Sequence, residues 1–348
     1  MLKREPDPIY VRASVWPKCD LVCSYCPVEE GMENRVPARL AGKRLTTEEY
    51  VRSLTAIATA GVRGVSFTGG EPTLRPDLGV IISAIRPFFD RVELTTNGAK
   101  LAKVAEVVRA NVDLLKVSLD SIDQSQVELI TGRRHAYANA VNSIRWAIDN
   151  SVPLGINSVL MRRTADELDR TIDYAHSITR GATAPVHLSL LDFYFSPSRR
   201  EQWLTDFIPT SSVIEPLSDR YGPPVEQERF GCTFYWFDAD GLNVRLKDSF
   251  SATMRAPKCS GCASYCQEGI YGVKYSVEGW LTTCPSDREQ LGVHLEAGLG
   301  QDELTHRIMS VLADVHGATP HPNSFAVMCD RQNLVMPLVP TEAAGEKP

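Results

Sequence analysis

Three thiols lie close together in Cys19-Asp20-Leu21-Val22-Cys23-Ser24-Tyr25-Cys26, at spacing C-x3-C-x2-C. Thiolates this near in sequence converge on one soft metal centre. Around a four-iron cube, three of them leave one iron without a protein ligand, open to a chelating small molecule. The competing readings are buried free thiols and a structural zinc site, which needs a fourth ligand close by. The next His is His135 and the next Cys is Cys232, both far along the chain.

A second group, Cys259-x2-Cys262-x3-Cys266-x17-Cys284, brings four more thiols. Their spacing suits Zn²⁺ or a second iron–sulfur cluster, and the first group favours iron–sulfur. Cys232 and Cys329 stand outside both groups. A small buried hydrophobe is the ordinary role of such a cysteine. Gly69-Gly70-Glu71-Pro72 offers two glycines for close backbone approach, a carboxylate, and a proline that fixes the turn. Thr95, Thr96, Asn97 and Ser118 offer hydroxyl and amide groups that serve equally as helix caps or ligand contacts.

These residues need a frame that gathers them. Short apolar or β-branched runs predict strands over 11–16, 64–68, 91–95, 114–119, 154–160 and 186–193. Amphipathic stretches over 46–60, 78–88, 101–111, 137–150 and 165–178 predict helices between them. Thr46-Thr47-Glu48-Glu49 and Thr164-Ala165-Asp166-Glu167 read as helix starts. The alternation predicts an α/β fold with a parallel sheet. Six units are too few to close an eight-stranded barrel, so an open, partial (βα)6 TIM-like barrel is expected. Its chemistry gathers at the C-terminal strand ends. The cysteine loop, Gly69–Pro72, Thr95–Gly98 and Ser118–Ser121 all fall there. Asp192, Tyr194 and Phe195 end the sixth strand and are expected to line the cavity. Residues 1–195 are read as the barrel, 196–230 as linker and irregular cap, and 231–348 as a smaller second domain with a tail.

The composition suits a soluble globular protein: 348 residues, 43% hydrophobic, 23% charged, net charge −6. No basic field is available for a nucleic-acid backbone, so no nucleic-acid partner is expected. No secretory leader and no run of membrane-spanning length is read from the sequence. A cytoplasmic protein is expected, in which clustered cysteines bind metal rather than form disulfides.

Taken together, these motifs resemble the radical S-adenosylmethionine (SAM) superfamily, and within it the GTP 3′,8-cyclase branch. The resembling residues are Cys19–Met32, Leu45–Glu49, Thr68–Leu78, Leu94–Gly98, Val117–Ser121, Ile130–Arg133 and Ile156–Met161. The resemblance implies two [4Fe-4S] clusters and SAM as cofactors. Cys19, Cys23 and Cys26 would hold the first cluster. Cys259, Cys262, Cys266 and Cys284 would hold an auxiliary cluster in a SPASM/twitch-like C-terminal domain. Tyr25, Gly69, Gly70, Glu71, Pro72, Thr95, Thr96, Asn97, Ser118 and Tyr194 would contact SAM. Cys232 and Cys329 become candidate hydrogen-atom donors. An electron donor such as flavodoxin or ferredoxin would be a partner.

The cyclase branch holds its substrate with several basic residues, and this chain departs there. Arg12 matches one. Ser66, Gly155 and Gly272 stand where others are expected, while Lys274 keeps a positive charge. The cyclase's C-terminal Gly-Gly is replaced by Gly345-Glu346-Lys347-Pro348. A triphosphate needs a paired basic lining. The expected substrate is therefore a small polar metabolite, nucleoside-, nucleotide- or sugar-like, with Arg12 and Lys274 as binding residues. The alternatives are a peptide maturase, the GTP cyclase itself, and a non-catalytic metal-binding or electron-transfer protein. A maturase would be expected to carry a peptide-recognition domain ahead of the cysteine loop, and the sequence is read without one before residue 19. Electron transfer has no use for Gly-Gly-Glu-Pro at a barrel rim.

Overall fold

The computed structural model describes residues 9–26, 44–195, 199–229, 232–248, 252–260, 269–270, 272–284 and 292–322. Its first half is the expected alternation. Strands β1 (Tyr10–Trp16), β2 (Gly64–Gly69), β3 (Arg91–Thr96), β4 (Leu114–Ser118), β5 (Leu154–Val159) and β6 (Val186–Leu191) pair in parallel, each with the next. The crossovers carry α1 (Thr47–Thr59), α2 (Leu78–Ile85), α3 (Ala105–Asn111), α4 (Gln124–Thr131), α5 (His135–Asp149), α6 (Arg162–Ala165) and α7 (Leu168–Thr179). One side of the strands, including Leu115, Val117, Ile156, Leu188 and Leu190, packs with Leu54, Ile82, Ile144 and Ile172 of the helices in one core. The alternate residues face the concave side.

Several elements differ from expectation. Helix α4 is not among the elements that the sequence pattern predicts. Asp123 caps it by accepting from the Ser125 and Gln126 amides. The helix expected over 165–178 is broken into α6 and α7. The Thr164 hydroxyl bonds back to the Met161 carbonyl instead of capping the next helix, and the Glu167 carboxylate accepts from Ser121. At Thr46 the expected capping box with Glu49 is present. Within the segment 196–230, read as linker and irregular cap, the described residues 199–229 carry α8 (Arg200–Asp206), α9 (Ser211–Tyr221) and β7 (Val225–Arg229).

The later strands extend the same sheet at both edges. Strand β9 (Leu242–Asp248) lies parallel beside β6, and β8 (Cys232–Ala239) and β7 continue from it antiparallel. At the other edge β11 (Val273–Tyr275), named after the short β10 (Ala252–Arg255), lies parallel beside β1. Strands β12 (Trp280–Thr282) and β13 (Gly292–His294) continue outward. The result is a twelve-stranded open sheet whose middle is the six-stranded parallel unit. Thus residues from the last third of the chain join the barrel wall itself.

Candidate active site

The cysteine loop leaves the C-terminal end of β1 and is held from three sides. On the first, the Gly70 amide donates to the Trp16 carbonyl (2.7 Å) and the Glu71 amide to the Lys18 carbonyl (2.9 Å). A Cβ on Gly70 would stand 2.3 Å from the Lys18 carbonyl oxygen, and one on Gly69, at φ +137°, 2.5 Å from that of Trp16. The two glycines are there because backbone meets backbone. On the second side, the Val22 and Ser24 amides donate to the carbonyls of Thr131 and Ile130 at the end of α4. Arg133 Nε donates to the Asp20 carbonyl (3.2 Å), and His135 Nε2 lies 3.1 Å from Asp20 Oδ2. On the third, Asn97 Nδ2 donates to Asp20 Oδ1 (2.9 Å) and approaches Cys19 Sγ (3.6 Å).

Glu71 ties these sides together. It is buried, and its carboxylate accepts from the Thr73 amide (3.0 Å), the Thr73 hydroxyl (2.6 Å), the Thr96 hydroxyl (2.5 Å) and the Asn97 amide (2.7 Å). Burial pushes its pKa up while these donors pull it down. A carboxylate with four donors is well satisfied. In this arrangement Glu71 fixes the end of β3, and with it Asn97, against the cysteine loop.

Tyr25 is fixed by Asp120, which lies just beyond β4. The phenol donates to Asp120 Oδ2 (2.8 Å), and the Val159 amide of β5 donates to Asp120 Oδ1 (2.9 Å). Burial raises the Asp120 pKa to about 6, against the pull of those two donors. The Tyr25 ring meets Phe193 edge-on and packs on a small second core of Ile130, Met161, Phe193, Phe195, Trp203 and Phe207. Tyr194 lies within this post-β6 segment.

The concave face is polar. Lys274, Arg12, Ser66 and Glu93 stand in register across β11, β1, β2 and β3. Thr95, Lys116, Gly155 and His187 do so across β3 to β6. Glu93 pairs with both Lys116 and Arg91. Burial and the charges of Arg245 and Lys116 depress the His187 pKa to about 4, so its imidazole is neutral at neutral pH.

Residues 13–175 match the family model described as the radical SAM superfamily. A probable GTP 3′,8-cyclase from Methanococcus maripaludis is 31% identical over 280 residues, spanning 78% of this chain and 83% of that protein. The chain belongs to the radical SAM superfamily and is a relative of its GTP 3′,8-cyclases. It is also 31% identical over 201 residues to molybdenum cofactor biosynthesis protein 1 of Drosophila melanogaster. That match spans 57% of this chain but 33% of the longer relative. Among solved structures, Streptococcus suis SuiB bound to S-adenosylmethionine superposes with a TM-score of 0.57 at 14% identity, over 85% of this chain and 65% of that one. This likeness is one of fold.

Radical SAM enzymes use a [4Fe-4S] cluster and SAM, and the thiols here fit such a group. Cys19, Cys23 and Cys26 are half-buried. Burial, with the charges of Glu71 and Asp20, raises the Cys19 pKa to about 11. Burial and the charges of Asp120, Cys26 and Cys19 raise that of Cys23 further. Three neighbouring thiolates need a compensating cationic centre. Among the described residues, no three His, Cys, Asp or Glu side chains are grouped as ligands of a single ion. Thiols of a cube bind separate irons and stand farther apart.

The remaining expected residues fall in different places. Arg12 and Lys274 are brought together in register on β1 and β11. Thr96 is buried and donates to Glu71, Thr95 faces the concave side, and Ser118 ends β4. Cys232 is buried in β8 with its thiol against the Arg229 carbonyl (3.3 Å). Cys259 and Cys284 lie at either side of β11 and β12 in the chain, whereas Cys262, Cys266 and Cys329 lie outside the described residues. Sequence reasoning gives no role to Asp120 or Arg245. Asp120 has a signal, its place two residues beyond the fourth strand end.

Proposed function

We propose that this protein is a radical SAM enzyme acting on a small polar metabolite. The reading rests chiefly on one observation: the cysteine loop is held at the mouth of a barrel whose concave face is polar and mixed in charge. Cys19, Cys23 and Cys26 would hold the cluster. Thr95, Asn97 and Ser118, with the Gly69–Pro72 turn, would border SAM, and Tyr25 would wall the same end. When bound, this pair of cofactors supplies one-electron cleavage of the SAM sulfonium and a 5′-deoxyadenosyl radical that takes a hydrogen atom from substrate. The chain's own part is to bind, orient and exclude water. A second cluster at Cys259, Cys262, Cys266 and Cys284 and an electron donor of the flavodoxin or ferredoxin kind belong to the same proposal.

GTP cyclisation is the second reading. It is favoured by the cyclase relatives and by the adjacency of Arg12 and Lys274. Against it, Gly155 adds no charge to the wall and Lys116 is paired with Glu93.

The test is direct. Anaerobically reconstituted protein should contain about eight irons and, once reduced, release 5′-deoxyadenosine slowly from SAM alone. Cys23→Ala should abolish release and keep about four irons. A wild-type protein that holds cluster, is reduced and releases nothing sinks the enzyme reading. Conversion of GTP to a cyclic product would replace the first reading by the second.

A further inference from the structure

The concave face carries a second row that none of the roles above uses. Asn157 on β5 is in register with Ser189 on β6, and Ser189 with Arg245 on β9. Arg245 is in turn in register with Trp236 on β8. The neighbours of opposite parity, Ile156, Leu188, Leu190, Val244 and Leu246, all belong to the helix-side core. Alternation therefore turns Asn157, Ser189 and Arg245 towards the lumen. The effect of Arg245 on Lys116 and His187 places its charge on that same side.

Two groups in this row lack what buried polar atoms normally have. Ser189 is 0% exposed and its hydroxyl has no hydrogen-bond partner. The buried Asn157 Oδ1 has none either. Buried polar atoms without partners are rare and mark a place where something else completes the bonding. At the end of the row Arg245 lies over the Phe234 and Trp236 rings, 5.6 and 5.8 Å from their centroids. Aromatic faces hold a guanidinium in a fixed plane.

We propose that Asn157, Ser189 and Arg245 form the substrate shelf of the barrel, and that it takes a hydroxyl-bearing, sugar-like group carrying one anionic substituent. The amide and hydroxyl bond the ligand's hydroxyls, and the guanidinium holds its phosphate or carboxylate. A row with one guanidinium matches one anionic group, not a chain of three. Arg12 and Lys274 stand on the other side of β2–β4 in the sheet order. This inference rests on the small-metabolite reading and narrows it.

The experiment is calorimetric binding to the cluster-loaded, SAM-bound enzyme, with ribose, ribose 5-phosphate, ribonate, GMP and GTP as probes. Ribose 5-phosphate or ribonate should bind at least tenfold tighter than ribose, and whichever is tighter identifies the anion. GTP should bind no tighter than GMP. Arg245→Met should erase the preference over ribose, while Arg245→Lys, which keeps the charge and guards against a merely misfolded variant, should retain most of it. Ser189→Ala should weaken the charged and uncharged sugars alike, by about threefold to tenfold, the range of one hydrogen bond. The proposal is overturned if wild type binds none of the probes or binds GTP tenfold tighter than GMP. It is equally overturned if the Ser189 and Arg245 variants weaken SAM as much as the probes, which would assign the row to the cofactor. Failure of the enzyme reading looks different: no 5′-deoxyadenosine from wild type.

Discussion

Gly155 and His187 are fitted to each other across β5 and β6. A Cβ at position 155 would stand 3.0 Å from both Cε1 and Nε2 of the imidazole, and 3.4 Å from Lys116 Cγ. The ring thus fills the place a side chain on β5 would take. The absence of a side chain at 155 leaves that place on the barrel wall to the imidazole of His187, beside Lys116.

Gly155→Ala should therefore destabilise the protein by about 1–3 kcal/mol through overpacking. The double variant Gly155→Ala/His187→Ala should recover part of that loss. Urea unfolding of the four proteins in the cycle checks it. A single variant within 0.5 kcal/mol of wild type, roughly the noise of a surface change, would contradict the fit.

His187 gives a pH dependence of defined sign. Its pKa falls from an ordinary 6.5 to about 4 in the folded protein. Between those values the unfolded chain binds the extra proton, so stability falls as pH falls. From pH 7 to pH 5 the contribution is about 2 kcal/mol. Urea midpoints over that range should drop for wild type and drop less for His187→Asn. Equal slopes for the two proteins would show that His187 is not held neutral.

Much of this arrangement is legible in the sequence, and the physical reason for the remainder is separation along the chain. The six parallel strands are readable because β-branched runs such as Gly64–Gly69 alternate with amphipathic helices. The thiol loop is readable because metal ligands at short spacing need no knowledge of the fold. Helix α4 escapes because its eight residues carry few apolar positions, although Asp123 is an available cap signal. Thr96 and Asn97, two of the partners of Glu71, lie 25 and 26 residues on, and His135 meets Asp20 across 115. Such pairs depend on strand register, which local pattern does not carry. The insertion of β9 beside β6, which puts Arg245 and Trp236 on the barrel wall, arises from tertiary pairing alone.

Glu71→Gln should disturb the site although size is conserved. The glutamine amide has one oxygen for donors that now use two, and its NH₂ must face either the Asn97 amide or the Thr73 and Thr96 donors. The expected loss is about 1–3 kcal/mol, that of a buried unsatisfied group. Because Asn97 is released with it, 5′-deoxyadenosine formation from SAM alone should fall as well. A variant that loses neither stability nor rate would remove Glu71 from the role of tie.

Gly132 tests whether the α4 end positions the cysteine loop. It sits at φ +67° as the C-cap of α4, with its amide donating to the Glu128 carbonyl. A Cβ there would lie 2.5 Å from Val22 Cγ2, and Val22 stands between Cys19 and Cys23. Gly132→Ala thus has two consequences. The left-handed conformation costs about 1 kcal/mol for alanine. The clash pushes Val22 and so shifts the thiols on either side of it. Iron retention after gel filtration should fall, and the Val22→Ala/Gly132→Ala double variant should recover it while keeping the conformational loss. Val22 is largely exposed, so its own truncation should change stability by less than about 0.5 kcal/mol. If Gly132→Ala holds iron as wild type does, the α4 end is a neighbour of the loop and not its support.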